Sequence, residues 1–160
     1  MRRLSSRGEE MKRICWLIVA TVLGGCSPAP SFTDAAGKPV SLTDFAGKPL
    51  LVNYFAPWCA PCLREMPLLA ALHKEGEIGV LAINYDPASP TELTALARQY
   101  QIAVPLMIPV DEHRLPFSRP TMLPTSYLLD GHGTLQETLV GELDSQKLAS
   151  IKARLLMPRQ

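Results

Sequence analysis

Scarcity narrows the chemistry of this chain before any motif is read. Its 160 residues hold four cysteines and three histidines. Apart from the closely spaced Cys59 and Cys62, the only other cysteines are Cys15 and Cys26. A structural zinc site needs about four Cys or His ligands at suitable spacing, so the close pair lacks the company a metal site requires. His73, His113 and His132 read as surface or internally satisfied side chains, not ligands. Long apolar runs are missing too. Ile14–Leu23 supplies ten apolar or near-apolar residues, short of the roughly 18 that suggest a spanning helix. Nor is there a usable charge surplus. The formal net charge is +1, but five of the sixteen Lys/Arg and two of the fifteen Asp/Glu fall within residues 1–26. Residues 27–160 therefore carry eleven basic and thirteen acidic side chains, so no basic face for nucleic acid is implied. No internal repeat is visible, and the only biased segment is a short Pro-rich stretch at 27–31. The length suits a single domain with one core.

What is present is concentrated at Trp58-Cys59-Ala60-Pro61-Cys62. The apolar run Leu50–Phe55 precedes it and reads as a central strand covered on both faces. Leu63 to Lys74 reads as helix. Cys59 then stands at a helix N-terminus, where free backbone N–H groups and the positive dipole end favour a thiolate over a thiol. Cys62 lies within reach across the first turn. The pair can close as a disulfide or open as a dithiol, and the thiolate is the species that attacks another disulfide. A merely structural staple across so short a loop would restrict the unfolded chain very little.

The front of the chain has the pattern of an export signal. Lys12-Arg13 precede the apolar run, and Gly24-Gly25-Cys26 follow it. Leu23-Gly24-Gly25-Cys26 resembles a bacterial lipobox, which implies cleavage before Cys26 and diacylglyceryl attachment to its sulfur. An ordinary signal peptide cut elsewhere, or an uncleaved anchor, would use the same run. Acyl chains contribute about 0.8 kcal/mol per buried CH₂, so several on one cysteine hold firmly. Ser27 after the cysteine points to the outer membrane. Met11-Lys12-Arg13 makes a compact signal start, suggesting that translation begins at Met11. The expected organisation is a signal at 1–26, a tether at 27–31 and a domain at 32–158. Cys15 is then discarded and Cys26 acylated, leaving Cys59 and Cys62 as thiols in an extracytoplasmic, periplasm-facing compartment where disulfides persist.

Along the domain, Phe32-Thr33-Asp34 and Val40-Ser41-Leu42 flank a turn and predict a small hairpin. Thr43–Ala46 suggests one helical turn. The motif helix should kink near Leu63–Pro67, because Pro67 removes a backbone donor and clashes one turn back, and Gly76 should stop it. Its apolar stripe is Leu63, Met66, Leu69, Ala70 and Leu72-His73. Ile78–Tyr85 reads as a buried strand. A helix capped by Ser89 or Thr91 runs to Tyr100, with Leu93, Leu96, Ala97 and Tyr100 on one face. Val104–Val110 reads as a strand, and Pro105 and Pro109 suggest an edge position. Asp111–Phe117 is short and helix-like. Tyr127-Leu128-Leu129 predict a strand, Asp130–Gly133 a turn, and Thr134–Gly141 a hairpin partner. Asp144 caps a final helix to about Met157, with Leu148, Ile151, Leu155 and Leu156 inward.

The W-C-x-P-C motif between strand and helix resembles the thioredoxin superfamily. The element order is similar to TlpA/ResA-type membrane-tethered thiol-disulfide oxidoreductases over most of residues 31–157. The fold class expected is α/β, thioredoxin-like: a central mixed sheet flanked by helices, with an added N-terminal hairpin and an extra helix–strand at about 90–110. The resemblance implies that Cys59 is the exposed nucleophile and Cys62 the shielded resolving thiol. Trp58, Pro61, Leu123 and Pro124 would border the substrate. Trp58 would shield the thiols, and Pro124 would be a cis-proline exposing the Leu123 backbone to a substrate strand. Pro120 departs from the apolar residue usual in the family. Glu65, one turn after Cys62, would relay a proton to or from that thiol if partial burial raises its pKa; a solvated carboxylate paired with Arg64 or Lys74 is the other reading. Asn53 occupies the place of the buried Asp of thioredoxins, and an amide cannot take its proton. Tyr54 and Phe55 read as core. The uncharged Ala60-Pro61 pair implies a couple on the reducing side.

The function so implied is reduction of disulfides in exported proteins through a redox-active Cys59–Cys62 disulfide, without a further cofactor. A membrane electron donor of the DsbD/CcdA type would restore the dithiol. Cytochrome c maturation or thiol repair are candidate tasks. The rival is a thioredoxin-like chaperone holding Cu(I) through the same two thiolates, although such chaperones space their cysteines more widely and add a distant His. A peroxiredoxin would need an upstream Thr-x-x-Cys that is not here.

Overall fold

A computed structural model describes Ala29 and residues 31–156. The signal run, Cys26 and Met11 lie outside the described residues. Strands β1 (Phe32–Asp34), β2 (Pro39–Val40), β3 (Leu50–Phe55), β4 (Gly79–Asn84), β5 (Leu106–Pro109), β6 (Thr125–Leu129) and β7 (Leu135–Val140) form one seven-stranded sheet in the order β2-β1-β5-β4-β3-β6-β7. The helices are α1 (Ala60–Glu75), α2 (Pro90–Gln99) and α3 (Ser145–Leu156), with short 3₁₀ turns at Leu42–Phe45 and Glu112–Arg114. The sheet is mixed, since β3-β4 and β4-β5 run parallel while β3-β6, β6-β7, β1-β2 and β1-β5 run antiparallel. Among the described residues no helix is long and apolar enough to cross a membrane.

Two consecutive crossovers, β3-α1-β4 and β4-α2-β5, step across the sheet in the same direction. Right-handed connections therefore put both helices on one face. Leu51, Phe55, Val80, Ala82 and Leu128 of that face pack with Met66 and Leu69 of α1, Leu93 of α2, and Leu148 and Ile151 of α3. Alternation sends Leu50, Val52 and Tyr54 to the other face, which Phe45, Leu115 and Phe117 close. There Tyr54 meets Phe117 and Tyr127 edge-on, and those two rings stack with centroids 4.5 Å apart. Tyr54 and Phe55 are core, and every residue of β3 is buried.

Local chemistry sets the helix ends. Ser89 accepts from the Glu92 N–H while Glu92 accepts from the Ser89 N–H, a capping box with Pro90 in the first turn. The Asp144 carboxylate accepts from the Lys147 N–H at 2.8 Å, capping α3 as its sequence suggests. Helix α1 continues past Pro67 and ends at Gly76, whose φ of 79° is left-handed.

Three expectations need correction. Strand β5 is interior, pairing with β4 through Leu106 and Met107 and with β1 through Met107–Pro109. Its prolines are tolerated because they sit at its ends. Pro109 lies beyond the β4 pairing, and Pro105, just before the strand, accepts from the Ala82 N–H through its carbonyl at 2.9 Å. The edges are β2 and β7. On α3, Leu148 and Ile151 are buried, but Leu156 is 41% exposed; it sits in the last turn, past the sheet's cover. On α1 the buried stripe is Cys62, Glu65, Met66, Leu69 and Leu72, and His73 faces solvent.

Candidate active site

The chain leaves β3 through a turn in which the Cys59 N–H donates to the Ala56 carbonyl at 3.0 Å. Pro57 occupies the position of that turn where a fixed φ is favoured. The turn delivers Cys59 as N-cap of α1, in extended backbone at φ −91° and ψ 92°. Its Sγ accepts from the Cys62 N–H at 3.3 Å. Pro61, in the first turn, needs no partner for a missing N–H. Cys59 and Cys62 are joined in a disulfide with Cα atoms 5.3 Å apart. The Cys59 sulfur of that bond stands where the thiolate would be after reduction, and it already faces a helix N–H donor. Cys59 is 5% exposed and Cys62 fully buried, the ordering expected of an attacking and a resolving sulfur.

The Leu123–Pro124 peptide is cis and Pro124 is buried. The β3-β6 register sets Thr125 opposite Tyr54, so Pro124 falls level with Phe55 and the turn that carries Cys59. Leu123 is half-buried, and its neighbour Met122 is 62% exposed. Trp58 is 66% exposed. Its indole N–H donates to Asp86 at 2.8 Å and its ring meets Tyr85 edge-on, while the Arg119 guanidinium lies 4.2 Å from the centre of the Tyr85 ring. Trp58 is thus tied sideways to the loop after β4. Pro120 is buried, and His113 and His132, like His73, are exposed.

Glu65 lies one helical turn beyond Cys62 on the buried face of α1. It is completely buried, not a solvated partner of Arg64 or Lys74; Arg64 instead forms a two-point pair with Glu142, at 3.0 and 2.5 Å. Glu65 Oε1 accepts from Asn53 Nδ2 and Oε2 from the Leu143 N–H, each at 2.7 Å. Burial pushes its pKa up to about 7, against the lowering effect of those two hydrogen bonds; the nearby Glu142 raises it further and Lys147 opposes. Two fixed donors and a near-neutral pKa suit a carboxylate that gains and loses a proton at working pH.

Cys62 and Glu65 share the buried face of α1, with Cys59 at its N-cap, as their helical spacing suggests. Ser126 and the Leu143 amide escape sequence reading. Ser126 carried one faint signal, a small polar residue two past Pro124 at the start of a strand that ends Tyr127-Leu128-Leu129. A backbone N–H 78 residues from Glu65 carries none.

The comparisons with known proteins agree with this geometry. The sequence pattern of the AhpC/TSA family matches residues 24–138. The thiol-disulfide oxidoreductase ResA of Bacillus cereus is 35% identical over 125 residues, covering 75% of this chain and 72% of that protein. The thioredoxin-like protein YneN of Bacillus subtilis is 33% identical over 130 residues, covering 78% and 75%. A thiol:disulfide interchange protein of the thioredoxin family from Chlorobium tepidum superposes with a TM-score of 0.64 at 25% identity, over 82% of this chain and 97% of that one. This chain belongs to the AhpC/TSA family and is a thioredoxin-like thiol-disulfide oxidoreductase.

Proposed function

We propose that the protein is a lipid-anchored, extracytoplasmic reductase of disulfides in exported proteins. The observation that carries the reading is the redox-active pair itself: Cys59 and Cys62 disulfide-bonded at the start of α1, with Glu65 buried one turn further on. The Lys12–Cys26 pattern, outside the described residues, supports the anchor through Cys26 and export, with Ser27 favouring the outer membrane.

In the reduced protein the Cys59 thiolate attacks one sulfur of a substrate disulfide. That S–S bond breaks, a Cys59–substrate disulfide forms, and the other substrate sulfur leaves as thiolate. Cys62 then passes its proton to Glu65 and attacks the Cys59 sulfur, expelling the second substrate thiolate. Two electrons have moved to the substrate, and the Cys59–Cys62 disulfide remains. Exposed Trp58 and Met122, with Pro61 and the Leu123–Pro124 segment, border the approach to Cys59. A membrane donor of the DsbD/CcdA type would return the two electrons, and cytochrome c maturation or thiol repair would be the setting.

Replacing Cys62 with Ser removes the resolving thiol. The Cys62→Ser variant is expected to accumulate mixed disulfides with exported proteins in its native membrane. They should be visible on non-reducing gels and absent when Cys59 is also replaced. Failure to trap any partner, together with stoichiometric copper in the wild type and no insulin reduction, would replace this reading with a Cu(I) carrier. Because Ala60-Pro61 puts no charge between the sulfurs, equilibration with glutathione is expected to give a potential nearer about −270 mV than about −120 mV.

A further inference from the structure

Asn53 and Ser126 stand directly opposite each other in the antiparallel β3-β6 pair, on the sheet face that α1 covers. Glu65 reaches Asn53 from α1. All three side chains are completely buried. Asn53 Nδ2 donates to Glu65 Oε1 at 2.7 Å and to Ser126 Oγ at 2.9 Å, while Asn53 Oδ1 has no partner. An orientation that spends both amide protons and leaves the carbonyl idle serves an ionised Glu65, which can only accept.

A protonated Glu65 reverses that requirement. Its Oε2 is committed to the Leu143 N–H, and a backbone donor cannot turn around. The added proton therefore resides on Oε1, where it faces Asn53. With Nδ2 still pointing there, two donors would meet head-on. Half a turn of the amide places Oδ1 at the same spot, where it accepts from the acid. Ser126, whose hydroxyl serves as acceptor or donor, then donates to that oxygen.

We propose that Asn53 is an amide switch, turning end for end as Glu65 gains or loses its proton, with Ser126 changing from acceptor to donor. The proposal rests on the reading that Glu65 exchanges a proton with Cys62 and names the device that keeps Glu65 hydrogen-bonded in both states. No covalent bond between heavy atoms changes. Each state leaves one end of the amide unpaired, so the network is matched to both. Asn53 and Ser126 are positioning residues; neither holds the transferred proton. The charges facing Glu65 are Glu142 and Lys147, from the segment that leads into α3 and from α3 itself. Strands β3 and β6 bring it only the uncharged Asn53 and Ser126, and on its own helix Arg64 is turned to Glu142. The cysteines one turn earlier complete the titratable set once reduced.

The test is NMR of the full chain in its disulfide form, where the thiols do not titrate. Asn53 side-chain amide resonances should move with pH at the same midpoint as the Glu65 carboxyl carbon. Cross-peaks from the amide protons to Ser126 Hβ should fade below that midpoint, and both effects should vanish in Glu65→Gln. If Glu65 titrates while the Asn53 amide stays unchanged, the switch is overturned and the proton relay survives. If Glu65 keeps an ordinary carboxylate midpoint, relay and switch fall together. A second variant separates the switch from a fixed donor. Asn53→Leu removes a partner from both protonation states, so the Glu65 midpoint should move by less than roughly half a pH unit. A fixed donor to the carboxylate alone predicts an upward move of roughly one unit or more, and that result would overturn the switch. Insulin reduction by the wild type, measured separately, tests the thiol chemistry independently.

Discussion

Cys59→Ser is expected to abolish insulin reduction, down to the uncatalysed rate, without unfolding the protein. Cys59 is the N-cap of α1, and its sulfur accepts from the Cys62 N–H. Serine is among the preferred N-cap residues and can accept that same bond, so the helix start is preserved. Only the chemistry is lost, because a thiolate is the nucleophile in disulfide exchange and an alcohol is not. Cys62 cannot substitute, being fully buried behind Cys59. The comparison is with reduced wild type, which removes the disulfide's own contribution to stability. Insulin precipitation read beside circular-dichroism melts checks both halves. Activity surviving in Cys59→Ser would move the nucleophile elsewhere.

The second large effect belongs to Glu65→Gln, and it appears first in the pH dependence of stability. Burial raises the Glu65 pKa from its ordinary 4.5 to about 7. The folded protein therefore holds this proton more tightly than the unfolded chain does. The stability contributed by the protonated side chain is fully present below about pH 4.5 and is lost as pH rises through about 7. From that shift the oxidised wild type should lose about 3 kcal/mol between pH 4.5 and well above 7. Gln has the same shape, accepts from the Leu143 N–H and carries no proton to lose, so the variant's profile should lack this fall. Chemical denaturation at pH 5 and pH 8 reads the difference, and parallel profiles for the two proteins would refute the raised pKa. On the proposed relay, the same substitution also removes the proton acceptor for Cys62. Resolution of a preformed Cys59–substrate mixed disulfide should slow by about a hundredfold or more near neutral pH, with the attack by Cys59 much less affected.

Arg64 and Glu65 occupy neighbouring positions on α1 and grip neighbouring positions of the segment before α3. Arg64 takes Glu142 at the surface, and Glu65 takes the Leu143 amide inside. The exposed pair is worth little by itself. The buried contact matters more, since a fully enclosed carboxylate depends on each of its donors.

Much of this protein was decided locally and is legible along the chain. Cys59 at a helix start, Pro61 beside Cys62, the Ser89 cap and the Gly76 stop each depend on a few adjacent residues, because capping chemistry acts within one helical turn. The near-continuous apolar run of β3 and the helical stripe of α1 likewise carry their own burial signal. The interior place of β5, the seating of Asn53 on Ser126, and the Leu143 N–H that fixes one oxygen of Glu65 were decided only by tertiary structure. Strand order and register join residues far apart in sequence, such as Asn53 and Ser126, and an unassigned backbone amide looks like every other. The cysteine pair at a helix start was therefore evident from sequence, whereas the surroundings that raise the Glu65 pKa exist only after the sheet and α1 have closed over it.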